Sequence, residues 1–403
     1  MTELKNPVPE NEMDRLLALA ELDLDYSSLN DNFRDLTHLA AKVAGTDISL
    51  INLIDSFTQW TIGNYGMDID QMKREDSVCQ YTIMTDEPFE VPNLAADQRF
   101  REKSYVKDPI SLRYYLGVPL KDSNGVNLGA LCVLDPKLKT LSPEKIEMLG
   151  IIAGEIVNRL KSYKAIETLR NQVKEADATK KKVAHDIRGP LAGIIGLSEI
   201  IAQQGNTAQL DEVMDFIQLI HKSSKSVLEL ADEILSGDSD KLRESEYNLE
   251  VFADKLRKLY DPQAFNKGLR LKITFNESHS KIPFSKNKLL QITGNLISNA
   301  IKFTPSVGEV SVNLDLTAQD NKNALSIHVR DTGVGMTQEV IDEIMRDGTS
   351  TTKGTSGEKG YGFGLALVKH LVENLKGTMK INSTPGSGTS FQVLIPQEIP
   401  LPS

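Results

Sequence analysis

The stretch QITGNLISNAIKFTP, residues 291–305, decides how the C-terminal part of this chain is read. Asn295 and Asn299 stand four residues apart, hence on one helix face, and Lys302 follows a further turn-step along it. Amide oxygens ligate a hard cation such as Mg2+, and an ammonium nearby neutralises phosphate. Three glycine-bearing segments follow in order. In DTGVGM (331–336) Asp331 ends a strand-like run, and Gly333 and Gly335 let the backbone approach a flat ligand closely. A carboxylate at that point accepts a hydrogen bond from an amino group such as that of adenine. In EKGYGFGLAL (358–367) Gly360, Gly362 and Gly364 lead straight into a helix, so unpaired backbone N–H groups at its start face an anion. TPGSGTSF (384–391) is a turn before the last strand.

The surrounding pattern predicts helices at 251–260, 287–303 and 364–377 and strands at 269–275, 309–316, 324–331, 378–383 and 389–396. Such a mixture is a layered α/β unit of ordinary domain size.

The four segments in this order resemble the ATP-binding domain of the GHKL superfamily, shared by sensor histidine kinases, type II topoisomerases, mismatch-repair ATPases and heat-shock chaperones. The resemblance covers residues 248–396. It implies that Asn299 holds Mg2+, that Asn295 and Lys302 meet the phosphates, and that Asp331 meets adenine beside Gly333 and Gly335. It also puts Lys359, Gly360, Gly362, Gly364 and Thr389 in the ATP site, and makes residues 348–359 a mobile lid. The lid is rich in Gly, Ser and Thr, as a segment that opens and closes should be. Two departures bear on it. The family's aromatic pair before the lid is absent from EIMRDGTSTTK (343–353), and Tyr361 and Phe363 stand where relatives carry a Thr-like residue and a Leu.

Working outward toward the N-terminus, VAHDIRGPLAGI (183–194) places a Gly-Pro pair inside an otherwise helical run. Proline in a helix interior costs on the order of 3 kcal/mol, because it lacks the N–H that would reach the carbonyl four residues back. HDIRGPL resembles the phospho-acceptor box of sensor histidine kinases. That resemblance makes His185 the nucleophile toward the γ-phosphoryl group of ATP and Asp186 the acceptor of the proton from its other ring nitrogen. A neutral imidazole is required, and an unperturbed histidine of pKa about 6.5 meets that condition near neutral pH. Gly189 departs from the Thr or Asn that many relatives carry there to place water for dephosphorylation, so weak phosphatase activity is expected.

The helical run containing this box starts near Ser142 and continues for about sixty residues. Its apolar positions Ile152, Ile156, Leu160, Tyr163, Ile166, Leu169 and Val173 recur with a mean period of 3.5, that of a coiled coil. After the QQGNT turn a second helical run, 210–235, completes an antiparallel hairpin, best satisfied by a second copy as a dimeric four-helix bundle.

From 31 to 136 one helix and five strand-like runs, separated by turn signals, read as an α+β domain with an antiparallel sheet. SVCQYTIMTDEPFEVPNLAADQRF (77–100) and YYLGVPLKDSNGVNLGALCVLDPKLKTLSPEK (114–145) resemble a GAF sensor domain, an α/β/α fold. Its ligand is not specified by the sequence. The absence of a Cys-His pair at Cys79 speaks against a tethered bilin, and the two cysteines, Cys79 and Cys132, read as small core residues.

The expected organisation of this multidomain α+β chain is a GAF-like sensor (1–160), a coiled-coil helix (142–180), a dimerisation and histidine phosphotransfer domain (175–240) and a catalytic ATP-binding domain (246–398). A formal net charge of -10 disfavours nucleic acid as a partner. No apolar run reaches the roughly 18 residues of a membrane span, and the first residues lack the apolar core of a signal peptide, so a cytoplasmic location is expected. The expected partners are a second copy, a cognate response regulator and a small molecule in the GAF domain.

Overall fold

The computed structural model describes residues 7–26, 29–204, 214, 217–225, 227–228, 246–282, 284–286, 288–319, 322–347, 354–355 and 362–397. The chain divides into two compact units, residues 1–164 with 246–403, and residues 165–245.

In the first unit, α1 (Glu12–Leu22) and α2 (Arg34–Ala44) precede an antiparallel six-stranded sheet. Its strands are β1 (Ile48–Ile54), β2 (Thr58–Tyr65), β3 (Gln71–Lys73), β4 (Phe89–Val91), β5 (Tyr114–Lys121) and β6 (Asn127–Asp135), in spatial order β3-β2-β1-β6-β5-β4. The short helix α3 (Cys79–Thr82) lies between β3 and β4 in sequence. Strand β6 is buried along its whole length because both of its faces meet a core. Leu131 and Val133 pack with α2 and the start of the long helix α4 (Pro143–Gln204). Ala130, Cys132 and Leu134, on the opposite face, pack with α3 and the segment following β4. Period-two alternation thus serves two apolar layers rather than one core and solvent.

The C-terminal part starts with β7 (Glu246–Tyr247) and α5 (Leu249–Asn266) and continues with β8 (Arg270–Phe275), β9 (Phe284–Ser285) and α6 (Leu289–Phe303). Then come β10 (Glu309–Gln319), β11 (Lys322–Asp331), α7 (Gln338–Asp347), α8 (Gly364–Asn374), β12 (Thr378–Thr384) and β13 (Gly388–Gln397). Five strands form one sheet in the order β12-β13-β11-β10-β8, with β8 and β10 parallel and the other pairs antiparallel. Helices α5, α6 and α8 pack on one face of it. The other face leaves β12 alternating with solvent, which makes the unit a two-layer α/β sandwich.

Every expected strand and helix in this part is present, and α7 and the β7–β9 pair are additions. The helix expected to end at residue 260 runs on past Pro262 to Asn266. Proline there removes one backbone bond, and burial of Leu259, Tyr260 and Ala264 in the core offsets it.

Helix α4 is continuous, with Pro190 inside it. The expected coiled-coil stripe divides between two environments. Ile152, Ile156 and Leu160 are buried in the core of the first unit, so they are not free to form an interchain seam. Ile166, Leu169 and Val173, in the second unit, are exposed. That unit also has helical backbone at 217–225, and a Cβ built on Gly193 lies 3.9 Å from Ser223 Oγ, so the two helical segments lie side by side. Its described surface keeps Ile195, Ile217 and Leu219 about half exposed or more. Among the described residues no helix is long and apolar enough to cross a membrane.

Candidate functional site

Residues 289–302 of α6 are all buried, and among them are Gln291, Thr293, Asn295, Ser298, Asn299 and Lys302. A helix that buries so many polar groups needs partners for them, and an unpaired buried amide costs roughly 1–3 kcal/mol. Asn295 Nδ2 donates to Gln291 O at 2.9 Å, but Asn295 Oδ1 and Asn299 Nδ2 have no hydrogen-bond partner among the described residues. A half-turn of the Asn299 amide presents oxygen instead of nitrogen. Two buried amides one helical turn apart, each with an atom unpaired, fit a Mg2+ ion that brings most of its ligands as phosphate oxygens and water. No cluster of three metal-ligating side chains occurs among the described residues, so an ion held by protein carboxylates alone is not supported there.

Asp331 closes β11 in the core of the sandwich, 3% exposed. Its Oδ1 accepts the backbone N–H of Gly333 at 2.8 Å and of Thr389 at 3.2 Å. Both bonds fall on one oxygen, which leaves Oδ2 for a donor from a ligand. Burial pushes this carboxyl above its ordinary range, and the two backbone N–H groups work against that. Thr389 also shares a hydrogen bond with Ser383 Oγ at 2.9 Å, which ties the carboxylate's support to β12.

The sequence reading assigns Gly333 and Gly335 to close approach of a flat ligand; the structure adds a packing reason for glycine at both positions. A Cβ at Gly333 would lie 2.4 Å from Phe303 O and 2.7 Å from Asp331 Oδ1. At Gly335, where φ is +67°, it would lie 2.0 Å from Thr384 O. A side chain at either position would meet the chain's own backbone or the Asp331 carboxylate.

Gly364 opens α8, whose first N–H groups carry no side-chain cap. A Cβ at Gly364 would lie 3.2 Å from Asn295 Oδ1, so the helix start and the amide on α6 face one space. Lys302 is buried on the same helix, with Nζ 4.5 Å from the Phe303 ring centroid. Asn295, Asn299, Lys302, Asp331, Gly364 and Thr389 therefore belong to one domain, α6 and α8 packing together over the sheet that ends in Asp331. Gly362 precedes α8 with φ +84°. Lys359, Gly360 and most of the expected lid, 348–353 and 356–359, lie outside the described residues. His185 and Asp186 fall on α4 by backbone, and their side chains and that of residue 189 lie outside the described residues as well.

One residue of the site had no sequence signal. Lys267 Nζ donates to Ile301 O at 2.9 Å and Lys302 O at 2.6 Å, the last carbonyls of α6, and to Thr355 Oγ1 at 2.9 Å. Thr355 in turn bonds Lys302 O and Thr304 O. A cation at a helix C-terminus is favourable, and here it also ties Thr355, in the segment expected to be a lid, to the helix bearing both asparagines.

Comparison with known proteins gives matches to two of the chain's segments. Residues 285–399 match the family described as "Histidine kinase-, DNA gyrase B-, and HSP90-like ATPase", and residues 181–236 match the "His Kinase A (phospho-acceptor) domain". The autoinducer 2 sensor kinase/phosphatase LuxQ of Vibrio parahaemolyticus is 30% identical over 276 residues, 64% of this chain and 31% of LuxQ. The sensor protein EvgS of Escherichia coli is 29% identical over 249 residues, 58% of this chain and 20% of EvgS. The histidine kinase AdeS of Acinetobacter baumannii aligns with 53% of this chain and 98% of its own at 18% identity and a TM-score of 0.31. The chain thus spans a third or less of the length of these curated relatives. Its two matched segments are similar to a histidine kinase phospho-acceptor domain and to an ATPase domain of the histidine kinase, gyrase B and HSP90 type.

Proposed function

We propose that this protein is a cytoplasmic, dimeric sensor histidine kinase that phosphorylates His185 from ATP and passes the phosphoryl group to an aspartate of a separate response regulator. The observation that supports this reading is the pair of buried amides on α6, Asn295 and Asn299, each with an unpaired atom and Asn295 facing the start of α8, in a chain that also has a matched phospho-acceptor segment around His185.

In this mechanism Asp331 takes the adenine amino group on Oδ2 while Gly333 and Thr389 hold Oδ1. Asn295, Lys302 and the first N–H groups of α8 orient the phosphates, with Lys359, Gly360 and Gly362 beside them. Asn299 would hold the metal. Bound with the nucleotide, Mg2+ would supply charge neutralisation at the phosphates. One imidazole nitrogen of His185 forms the N–P bond as the bond from the γ-phosphorus to the β,γ-bridging oxygen breaks and ADP leaves. Asp186 accepts the proton of the other ring nitrogen.

The N-terminal sheet, with α2 and α4 on one face and α3 on the other, supports the reading of residues 1–160 as a GAF-like sensor with a small-molecule ligand of its own. The exposed Ile166, Leu169, Val173, Ile195, Ile217 and Leu219 support a dimeric four-helix bundle, since a monomer seldom leaves so much apolar surface uncovered.

Labelled ATP with Mg2+ tests the reading. Acid-labile, base-stable label on the protein, lost in both His185→Gln and Asn299→Ala, is the expected result. Steady phosphate release that ignores His185→Gln would instead mark an ATP-hydrolysing clamp. Neither labelling nor nucleotide binding would leave a non-catalytic scaffold.

A further inference from the structure

The turn between β1 and β2 carries Phe57 into the place where the proposed phosphate ligands meet. A Cβ on Gly364, the first residue of α8, would lie 2.5 Å from the Phe57 ring, closer than the 3.2 Å to Asn295 Oδ1. The Lys302 ammonium stands 5.6 Å from the centroid of the same ring. An apolar ring between a helix start, a buried amide and an ammonium occupies space that phosphates and their waters require.

The turn is held firmly. Arg15 and Arg74 both bond the Glu12 carboxylate, all three side chains being fully buried. Arg15 also donates to Ile54 O, and Arg74 to Asp55 O at 3.2 Å, the two residues that lead into the turn. Arg74 N donates to Phe57 O at 2.9 Å.

Further contacts dock the sensor domain on the catalytic domain around this plug. Leu16, Ala20 and Trp60 are part of the catalytic domain's own apolar core. Trp60 stacks on Tyr26 at 5.0 Å and meets Tyr260 edge-on at 6.0 Å. Gln71 donates to Leu259 O at 2.9 Å and accepts from Gln263 at 2.7 Å. Lys255 pairs with Asp25, and Lys288 with Glu21, while the Lys288 backbone N–H donates to Asp23 at 3.0 Å.

We propose that this arrangement is an autoinhibited state: the sensor domain plugs the phosphate end of the nucleotide site with Phe57, and the site opens only when the sensor domain undocks. The inference rests on the nucleotide-binding reading above and adds a regulator to it. It also gives the sensor domain a route to the kinase that bypasses the long helix. The segment leading from Arg74 to α3 ties the plug to the second core of the sensor, since Ser77 N donates to Arg74 O at 3.0 Å and Ser77 Oγ accepts from Cys79 N at 2.9 Å.

The test uses the full chain with Mg2+ and the non-hydrolysable analogue AMP-PNP. Trp60 is the sole tryptophan and lies in the docked interface, so its emission reports undocking directly. Phe57→Ala, and separately Lys288→Glu, should tighten AMP-PNP binding about tenfold by raising the fraction of open sites. Saturating AMP-PNP should shift Trp60 emission of the wild type to the red. Equal affinity of wild type and both variants, or saturation with no change at Trp60, overturns the inference and leaves the nucleotide reading standing. No AMP-PNP binding by the wild type or either variant overturns both.

Discussion

Asp331 shows how much of the site rests on single atoms. Its Oδ1 is fully engaged by two backbone N–H groups, so whatever meets the ligand must be Oδ2. Asp331→Asn keeps the shape but turns that acceptor into an NH2 donor facing the amino group of adenine. The lost bond and the two opposed donors should weaken nucleotide binding by about 2–3 kcal/mol, thirtyfold or more, measured by AMP-PNP titration of the opened Phe57→Ala background. The pH dependence has a definite sign. Burial raises the pKa of Asp331, so its carboxylate is neutralised at a pH above the ordinary 3.8. Affinity should therefore fall as pH drops through that raised value, and Asp331→Asn should lose this dependence. A variant that binds as well as the wild type would remove adenine recognition from this residue.

At the scale of elements, α4 and α6 respond to sequence in different ways. Helix α6 carries an unbroken buried surface, and its polar residues are legible because their four-residue spacing survives folding intact. Helix α4 shares one apolar stripe between two environments: Ile152, Ile156 and Leu160 serve the core beside the N-terminal sheet, and Ile166, Leu169 and Val173 remain exposed. Periodicity reports that a face is apolar and does not report what covers it. Gly189 and Pro190 occupy the turn after His185 on this helix. If a side chain at residue 189 is needed to place water, the wild type should dephosphorylate its response regulator slowly, and Gly189→Thr should accelerate the reaction about tenfold or more, in the range of general acid–base effects. Phosphate release from labelled regulator measures it; equal rates would remove that role.

For the whole molecule, the buried Glu12–Arg15–Arg74 network joins α1 to the β1–β2 turn and the segment after β3. Burial acts to raise the Glu12 pKa, and the guanidinium groups of Arg15 and Arg74 outweigh it, holding the carboxyl below its ordinary 4.5. A carboxyl with a depressed native pKa stabilises the fold fully above its unfolded value, and that contribution is lost as pH falls through the native one. Glu12→Gln leaves two guanidinium groups buried without their anion and should destabilise the first unit by about 3–5 kcal/mol at pH 7, with a shallower acid limb, measured by urea unfolding. It should also free the Phe57 turn. Unchanged stability at both pH 7 and pH 4 would show that this network does not hold the turn.

The amino-acid sequence by itself determined the α/β sandwich, the long helix through residue 190 and the order of Asn295, Asn299, Lys302 and Asp331, because those signals are local: helical spacing, a strand end, a glycine before a helix. Only the tertiary structure decided what Gly333 and Gly335 pack against, which half of the α4 stripe is buried, and that Lys267 caps α6. It alone placed Phe57 against Gly364. Contacts such as Gln71 to Leu259 join residues 188 positions apart, and no periodicity or motif spans that distance. Their energy comes from burial and complementary hydrogen bonding between two surfaces, which exist only after each domain has folded.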